Sequence, residues 1–315
     1  MDHTDFEETG ACIVELEAHF ARTERFGDLE QLFLRRKAKR LAAIKRGQAS
    51  KVRGIALIGA SGTGKTTAIN RLLSLHDAPN VDADCQVISV SVPSPATEKY
   101  VGQTILHALG YELTTKREAW YIWDLVRHHL KARKILFLHL DEAQDLSAKG
   151  TKTETTAVVN TLKSLMNDPA WPVMVILSGT HKLENTLDFD PQLGRRLCKI
   201  TFGPILPDRD AEEVAGLVAV YAETAKLAPH DNIVGVAFAK RLIHASAHEF
   251  GLIIELIIDA IEEALTLGRT ALTRDHFALA FHHRTYCLEA LNPFLVAEYE
   301  RIDARQILGR LEDGQ

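Results

Sequence analysis

Between residues 54 and 202, short apolar runs alternate with longer stretches whose apolar positions recur at helical spacing. The runs fall at 54–58, 86–92, 135–140, 173–177 and 199–202, and turn residues bound them. The stretches between them, 65–75, 97–109, 117–133 and 155–166, suit crossover helices. This alternation predicts a parallel sheet wrapped by helices. Residues 11–46 read as helical, with Leu29, Leu32, Phe33, Leu41 and Ile44 facing inward and Gly47 as the break. After Pro207 no convincing strand remains. Segments 210–226, 233–248, 252–267 and 273–284 read as helices, with Asp210 and Thr273 as N-caps and Gly251 and Gly268 as stops. The predicted organisation is a helical segment over 1–50, an α/β core over 51–207, a helical lid over 208–286 and a tail over 287–315. Asn292-Pro293 marks a turn in that tail, which is charged, partly disordered in expectation, and a candidate partner-binding segment.

Chemistry first enters at the end of the first strand. Gly59-Ala60-Ser61-Gly62-Thr63-Gly64-Lys65-Thr66 matches G-x-x-x-x-G-K-[ST], and a helix beginning with Thr67 follows. Strand, loop and helix in that order are the context a phosphate-binding loop requires. Its glycines let backbone N–H groups turn inward around phosphates, and the helix N-terminus adds partial positive charge. Lys65 is expected to reach the β- and γ-phosphates of ATP, and Thr66 to hold Mg²⁺. The third run ends in His139-Leu140-Asp141-Glu142. Asp141 is the expected second anchor of the Mg²⁺ shell, and Glu142 the group that polarises the attacking water. The bland alternative for that pair is two surface acids at a strand end. The fourth run leads into Ser178-Gly179-Thr180-His181. Ser178 and Thr180 are both candidates for a polar group beside the γ-phosphate, against a plain strand-to-helix turn capped by Thr180. Arg195-Arg196 precede the fifth run, where an arginine could reach a neighbouring subunit's γ-phosphate or simply form a surface ion pair.

Composition changes this picture little. The chain has 315 residues, 46% hydrophobic and 25% charged, the balance of a globular protein. No apolar run approaches the roughly 20 residues that span a bilayer, so no membrane partner is expected. The acidic N-terminus does not read as a secretory signal. Cys12, Cys85, Cys198 and Cys287 are scattered and form no CxxC pair, which fits a reducing cytoplasm rather than structural zinc or a disulfide framework. The formal net charge of −5 argues against a generally sticky nucleic-acid binder. Arg35, Arg36, Lys37, Lys39, Arg40, Lys45, Arg46, Lys51 and Arg53 nevertheless crowd into one stretch, either a phosphate-backbone footprint or a solvated helix face.

Phosphate loop, Asp-Glu strand, polar strand end, paired arginines and helical lid together resemble the AAA+ ATPases. Within them the chain is most similar to the TniB/TnsC family of transposon ATPases over roughly residues 25–295. Residues 53–66, the run His139-Leu140-Asp141-Glu142-Ala143-Gln144-Asp145-Leu146, and the run from Ser178-Gly179-Thr180 to Gln192-Leu193-Gly194-Arg195-Arg196-Leu197 carry the resemblance. Gly251-Leu252-Ile253-Ile254-Glu255-Leu256 and Asn292-Pro293-Phe294 extend it. The resemblance implies assembly on double-stranded DNA with ATP, as rings or helical filaments, recognised by a DDE-type transposase and a target-selecting partner. It implies that Arg195 or Arg196 acts in trans and that DNA contacts are mostly to phosphates. Lys99, Lys116, Arg117, Lys149 and Lys152, expected on loops, are the candidate contacts. Many AAA+ proteins carry an arginine early in the lid helix, where this chain has Ile253, Ile254 and Glu255. That departure implies slow hydrolysis and a lid that responds little to nucleotide.

Rival readings are weighed on the same residues. Asp141-Glu142-Ala143-Gln144 could suggest a DEAD/DEAQ helicase, but such enzymes need a second motor domain. Nucleotide and shikimate kinases are smaller and usually lack the Asp-Glu strand with a lid. A replication initiator or loader usually adds a DNA-reading domain after the lid, and a secretion ATPase often adds a membrane or peptidoglycan-binding segment. A non-catalytic ATP switch is opposed by the intact Glu142.

Overall fold

All six residues of Gly-Ile-Ala-Leu-Ile-Gly at 54–59 are buried, as expected of a strand covered on both faces. The computed structural model describes residues 3–48, 52–76, 87–113, 115–148 and 151–309, so Lys51, Cys85, Gln86 and Lys149 lie outside the described residues. In chain order the helices are α1 (His3–Ala18), α2 (Glu24–Lys45), α3 (Lys65–His76), α4 (Glu98–Ala108), α5 (Ala119–Ala132), α6 (Asp145–Ala148) and α7 (Lys152–Met166). They continue as α8 (Lys182–Phe189), α9 (Pro191–Gly194), α10 (Pro207–Thr224), α11 (Val236–Ala245), α12 (Phe250–Thr266), α13 (Arg274–Thr285) and α14 (Ala304–Gly309). The strands are β1 (Gly54–Gly59), β2 (Val87–Ser91), β3 (Phe137–Asp141), β4 (Met174–Gly179), β5 (Leu197–Phe202), β6 (Ala228–Pro229) and β7 (Ala271–Leu272). Two compact units result, one of Arg22–Phe202 and one of Met1–Ala21 with Gly203–Gln315.

The first of these units holds a five-stranded sheet in the order β2-β3-β4-β1-β5. Every pairing is parallel, with Leu57 opposite Ser178 and Asp141 opposite Ser91. The carboxyl ends of all five strands therefore lie along one edge, where ligands of open α/β sheets bind. Phe33 of α2 stacks on Phe137 of β3 with ring centroids 4.5 Å apart. Each such fully buried side chain contributes about 1.5–3 kcal/mol. The predicted helix over 11–46 is instead two helices. Thr23 sits in extended backbone and its hydroxyl accepts the Phe26 N–H, which starts α2 afresh. Leu29 and Phe33 are buried as expected, while Leu32, Leu41 and Ile44 are only half-buried. Part of the basic stretch also serves the fold. Arg40 is buried over the Trp171 ring, Lys37 Nζ donates to the His76 carbonyl, and Arg36 donates to Cys198 Sγ. Arg35, Lys39, Lys45 and Arg46 remain exposed.

The other unit is helical, with Leu16 of α1 in one core with residues of α10 to α13. Pro207 opens α10, so Asp210 is not its N-cap. The Asp210 carboxylate reaches back to accept the Leu206 N–H at 2.7 Å. Thr273 does cap α13, and Gly268, at φ +63°, follows the end of α12. Gly251 lies inside α12 rather than ending a helix. One short parallel pairing, Ala228 with Ala271 and Pro229 with Leu272, is a strand element the apolar pattern was too brief to reveal. The tail is structured through residue 309, correcting the expectation of disorder for that portion. Phe294 is fully buried among Phe238, Phe277 and Phe281, and Asn292 donates to the Ala278 carbonyl. Ile253 is buried in this core and Glu255 accepts from Arg284 at 2.6 Å, so both early α12 positions have structural partners. Among the described residues no helix is long and apolar enough to cross a membrane.

Candidate functional site

The loop between β1 and α3 is shaped by its glycines. Gly62 and Gly64 have φ of +77° and +81°, values side chains rarely adopt. A Cβ on Gly59 would lie 2.7 Å from the Phe202 carbonyl oxygen and 2.8 Å from Thr63 Oγ1. Thr63 is buried and its hydroxyl donates to the Ala60 carbonyl at 2.9 Å. Lys65, first residue of α3, is also buried, and its ammonium donates to the same carbonyl at 2.7 Å. Ser61, Thr66 and Thr67 face solvent. The loop is thus a tight cradle with a cation on its inner side and a helix N-terminus below it, an arrangement that fits a polyphosphate.

Across the sheet, β3 delivers Asp141 to the same edge. Thr66 Oγ1 donates to Asp141 Oδ2 at 2.8 Å, joining two residues 75 positions apart. Asp141 Oδ1 accepts from Ser178 Oγ at 2.5 Å and from the Glu142 N–H at 3.0 Å. Burial alone would raise the Asp141 pKa. The hydrogen bonds from Ser178 and Thr66, the nearby His139 and the Glu142 N–H outweigh burial and hold it below the ordinary carboxylate value. An ionised carboxylate beside a threonine hydroxyl is a hard oxygen pair of the kind Mg²⁺ prefers, so these residues fit that ion.

Behind Asp141 lies His139, buried on the same face of β3 two residues earlier. Its Nε2 is 2.6 Å from Ser178 Oγ and its Nδ1 is 2.7 Å from Ser89 Oγ. Burial, partly opposed by the Asp141 charge, pushes its pKa down to about 4, so the ring is neutral near pH 7. The tautomer follows from proton counting. Ser178 gives its one hydroxyl proton to the Asp141 carboxylate, so Nε2 must be the protonated nitrogen and Nδ1 accepts from Ser89.

Glu142 is exposed and has left-handed backbone at φ +52°. The amide of Gln144 donates to its carboxylate, while Gln144 Oε1 accepts the Thr180 N–H at 3.0 Å. Ser178 and Thr180, indistinguishable as candidates in the sequence, occupy different environments. Ser178 is fully buried and bonded to Asp141. Thr180 Oγ1 is buried with no hydrogen-bond partner among the described residues, and it does not cap α8. Arg195 and Arg196 also differ. Arg195 is exposed at the end of α9. Arg196 is half-buried, its carbonyl accepts the Gly54 N–H at 2.9 Å, and its Nη1 is buried without a partner among the described residues.

The structure therefore brings together Lys65, Thr66, Asp141, Glu142, Ser178 and Thr180. Lys99, Lys116, Arg117 and Lys152, the candidate DNA contacts among the described residues, form no hydrogen bond or ion pair with these six side chains. Lys116 and Arg117 are exposed before α5, as expected, with Arg117 over the Tyr121 ring. Lys99 and Lys152 lie in the first turns of α4 and α7 rather than on loops, because Thr97 and Thr151 cap those helices ahead of them. Sequence reading missed His139, Ser89 and Gln144. The available signal was a histidine at the i−2 position from Asp141 in an otherwise apolar strand, hence on the same strand face.

The same fold occurs in solved structures of low sequence identity. ORC2 of Aeropyrum pernix, solved as ADPNP-ADP complexes, is 15% identical, with 86% of this chain and 70% of that one covered and a TM-score of 0.60. ORC1 of Aeropyrum pernix, solved in complex with DNA, is 17% identical, with 93% and 83% covered and a TM-score of 0.62. The RuvB Holliday junction branch migration motor of Thermotoga maritima is 13% identical, with 93% and 78% covered and a TM-score of 0.53. These likenesses establish an AAA+ P-loop ATPase fold. Among curated proteins, none matches the chain. The profile described as bacterial TniB protein matches residues 35–204, more than half of the chain and all five strands of the large sheet, and the protein belongs to the TniB family.

Proposed function

We propose that this protein is an ATP-hydrolysing, DNA-binding regulator of transposition that oligomerises on double-stranded DNA and recruits a DDE-type transposase and a target selector. The observation that carries the ATP reading is the Thr66–Asp141 hydroxyl–carboxylate contact at 2.8 Å beside the loop that holds Lys65. TniB membership supports the transposition reading. A bound Mg²⁺ would supply neutralisation of the negative charge that develops on the phosphoryl group. Thr66 and Asp141 would hold that ion, Lys65 would pair with the phosphates, and Glu142 would take a proton from the attacking water. Thr180, whose hydroxyl has no hydrogen-bond partner among the described residues, is the better candidate to touch the γ-phosphate or water, and Ser178 to orient Asp141. Ile253 and Glu255, occupied within their own unit, supply no lid arginine, which favours ATP as a clamp for assembly over fuel for a fast motor.

Sedimentation or electron microscopy with duplex DNA tests the reading. Large ATP-dependent assemblies are expected, weakening steeply with salt as phosphate contacts require. A chain that stays monomeric with ATP and DNA overturns it.

Arg195 is the proposed trans-acting arginine, because its side chain faces solvent while Arg196 is tied to the β1–β5 junction. Arg195→Ala is expected to lower turnover by roughly 10³-fold. Mixing Arg195→Ala with Glu142→Gln, which keeps ATP, should recover activity, since one subunit then supplies the arginine and the other the intact phosphate loop and Glu142. No recovery in the mixture removes the trans assignment.

A further inference from the structure

A histidine in the middle of a buried strand needs partners for two ring nitrogens, and leaving either unpaired there costs on the order of 1–3 kcal/mol. Purely apolar packing would be served at less risk by leucine or phenylalanine. In this protein both nitrogens are bonded, and the bonds lead in one direction. Ser89 on β2, His139 on β3, Ser178 on β4 and Asp141 at the end of β3 form an unbroken chain with links of 2.7, 2.6 and 2.5 Å. Proton counting fixes its polarity, with each group donating toward Asp141. The chain ends on Oδ1 and leaves Oδ2 turned to Thr66.

We propose that His139 is a positioning residue for ATP hydrolysis: its Nε2–H occupies a lone pair of Ser178, commits the Ser178 proton to Asp141 Oδ1, and so fixes the carboxylate with Oδ2 facing Thr66 and the cation they share. This inference rests on the proposed Mg²⁺-dependent hydrolysis. His139 touches neither nucleotide nor metal in this role, and it acts through Ser178 alone. Without the Nε2–H donor, the Ser178 hydroxyl is free to rotate and Asp141 loses one of its three hydrogen bonds, keeping those from Thr66 and the Glu142 N–H. Removing partners that orient metal ligands typically costs about 10- to 100-fold in metal affinity or activity.

Three substitutions separate this role from simple core filling. His139→Phe keeps a ring of similar size without nitrogens. His139→Gln places an amide N–H near the position of Nε2, within reach of Ser178. His139→Asn places its amide near the position of Nδ1, toward Ser89 and short of Ser178. ATP turnover is measured against Mg²⁺ concentration, ATP affinity is measured by equilibrium titration, and each variant's folding is checked by thermal melting. Phe and Asn are expected to lower kcat about 10- to 100-fold and raise the Mg²⁺ concentration for half-maximal turnover, with metal-free ATP affinity within about threefold of wild type. Gln is expected to restore kcat to within about threefold. If the Phe variant does not fold, the Gln–Asn pair still decides, because both are polar and differ in where the N–H lies. Equal kcat for Gln and Asn overturns the inference, as does full turnover in a folded Phe variant. Absence of Mg²⁺-dependent turnover in the wild-type protein overturns the proposed function and this inference together.

Discussion

Glu142→Gln is expected to leave ATP bound and to lower its turnover by about 10²–10⁴-fold, the usual contribution of a general base. The substitution isolates basicity because the surroundings of Glu142 are indifferent to the exchange. Its backbone is held by neighbours rather than by its own side chain: the Glu142 N–H donates to Asp141 Oδ1, and the Ala143 N–H donates to the Ser178 carbonyl at 2.9 Å. Those bonds sustain a left-handed φ of +52°, a conformation costing on the order of 1 kcal/mol for a residue with a side chain. Glutamine has the same length and still offers an oxygen to the Gln144 amide that now meets the Glu142 carboxylate. It cannot accept a proton from water at neutral pH. Single-turnover phosphate release alongside equilibrium nucleotide titration checks the prediction. Unchanged release removes Glu142 from the base role, and lost binding assigns it to nucleotide affinity instead.

The parts of this site that were legible in the sequence are those fixed by local chemistry. Gly62 and Gly64 are read directly, because left-handed backbone and glycine go together. The four crossover helices were recovered within a few residues because their apolar faces recur at helical spacing, as Ile122, Trp123, Val126 and Leu130 do in α5. Less legible was anything decided between distant segments. The break at 19–23 depends on Thr23 capping α2, which a continuous helical pattern hides. The association of Leu16 with the helices after Gly203 carries no local signature. The burial of Phe294 beneath three aromatic rings could not be foreseen from a charged tail. Ser178 and Thr180 are one residue apart from Gly179 on either side, yet only register across β4 and β3 decides which hydroxyl meets Asp141. The separate register of β2 on β3 puts Ser89 opposite His139 and extends the polar chain from the buried strand to an exposed serine.

Lys65→Ala is expected to abolish useful ATP binding while leaving the fold intact. The fold should survive because alanine is the best helix former and Lys65 is the first residue of α3. The carbonyl that Lys65 engages keeps a partner as well, since Thr63 Oγ1 donates to Ala60 at 2.9 Å. What is lost is a buried positive charge on the inner side of the loop. Deleting one partner of a buried ion pair typically costs about 3–5 kcal/mol. That corresponds to a fall of roughly 10²- to several-10³-fold in affinity. Titration of ATP into the variant measures it, with thermal melting as the control for folding. Binding as tight as wild type would dismiss the phosphate role of Lys65. Sedimentation with DNA then sets this variant against Glu142→Gln. If ATP acts as a clamp, the lysine variant should fail to assemble, whereas the glutamine variant, holding ATP it cannot spend, should assemble and persist. A lysine variant that loses ATP yet still assembles on DNA would detach assembly from the nucleotide and leave the loop a role in turnover alone.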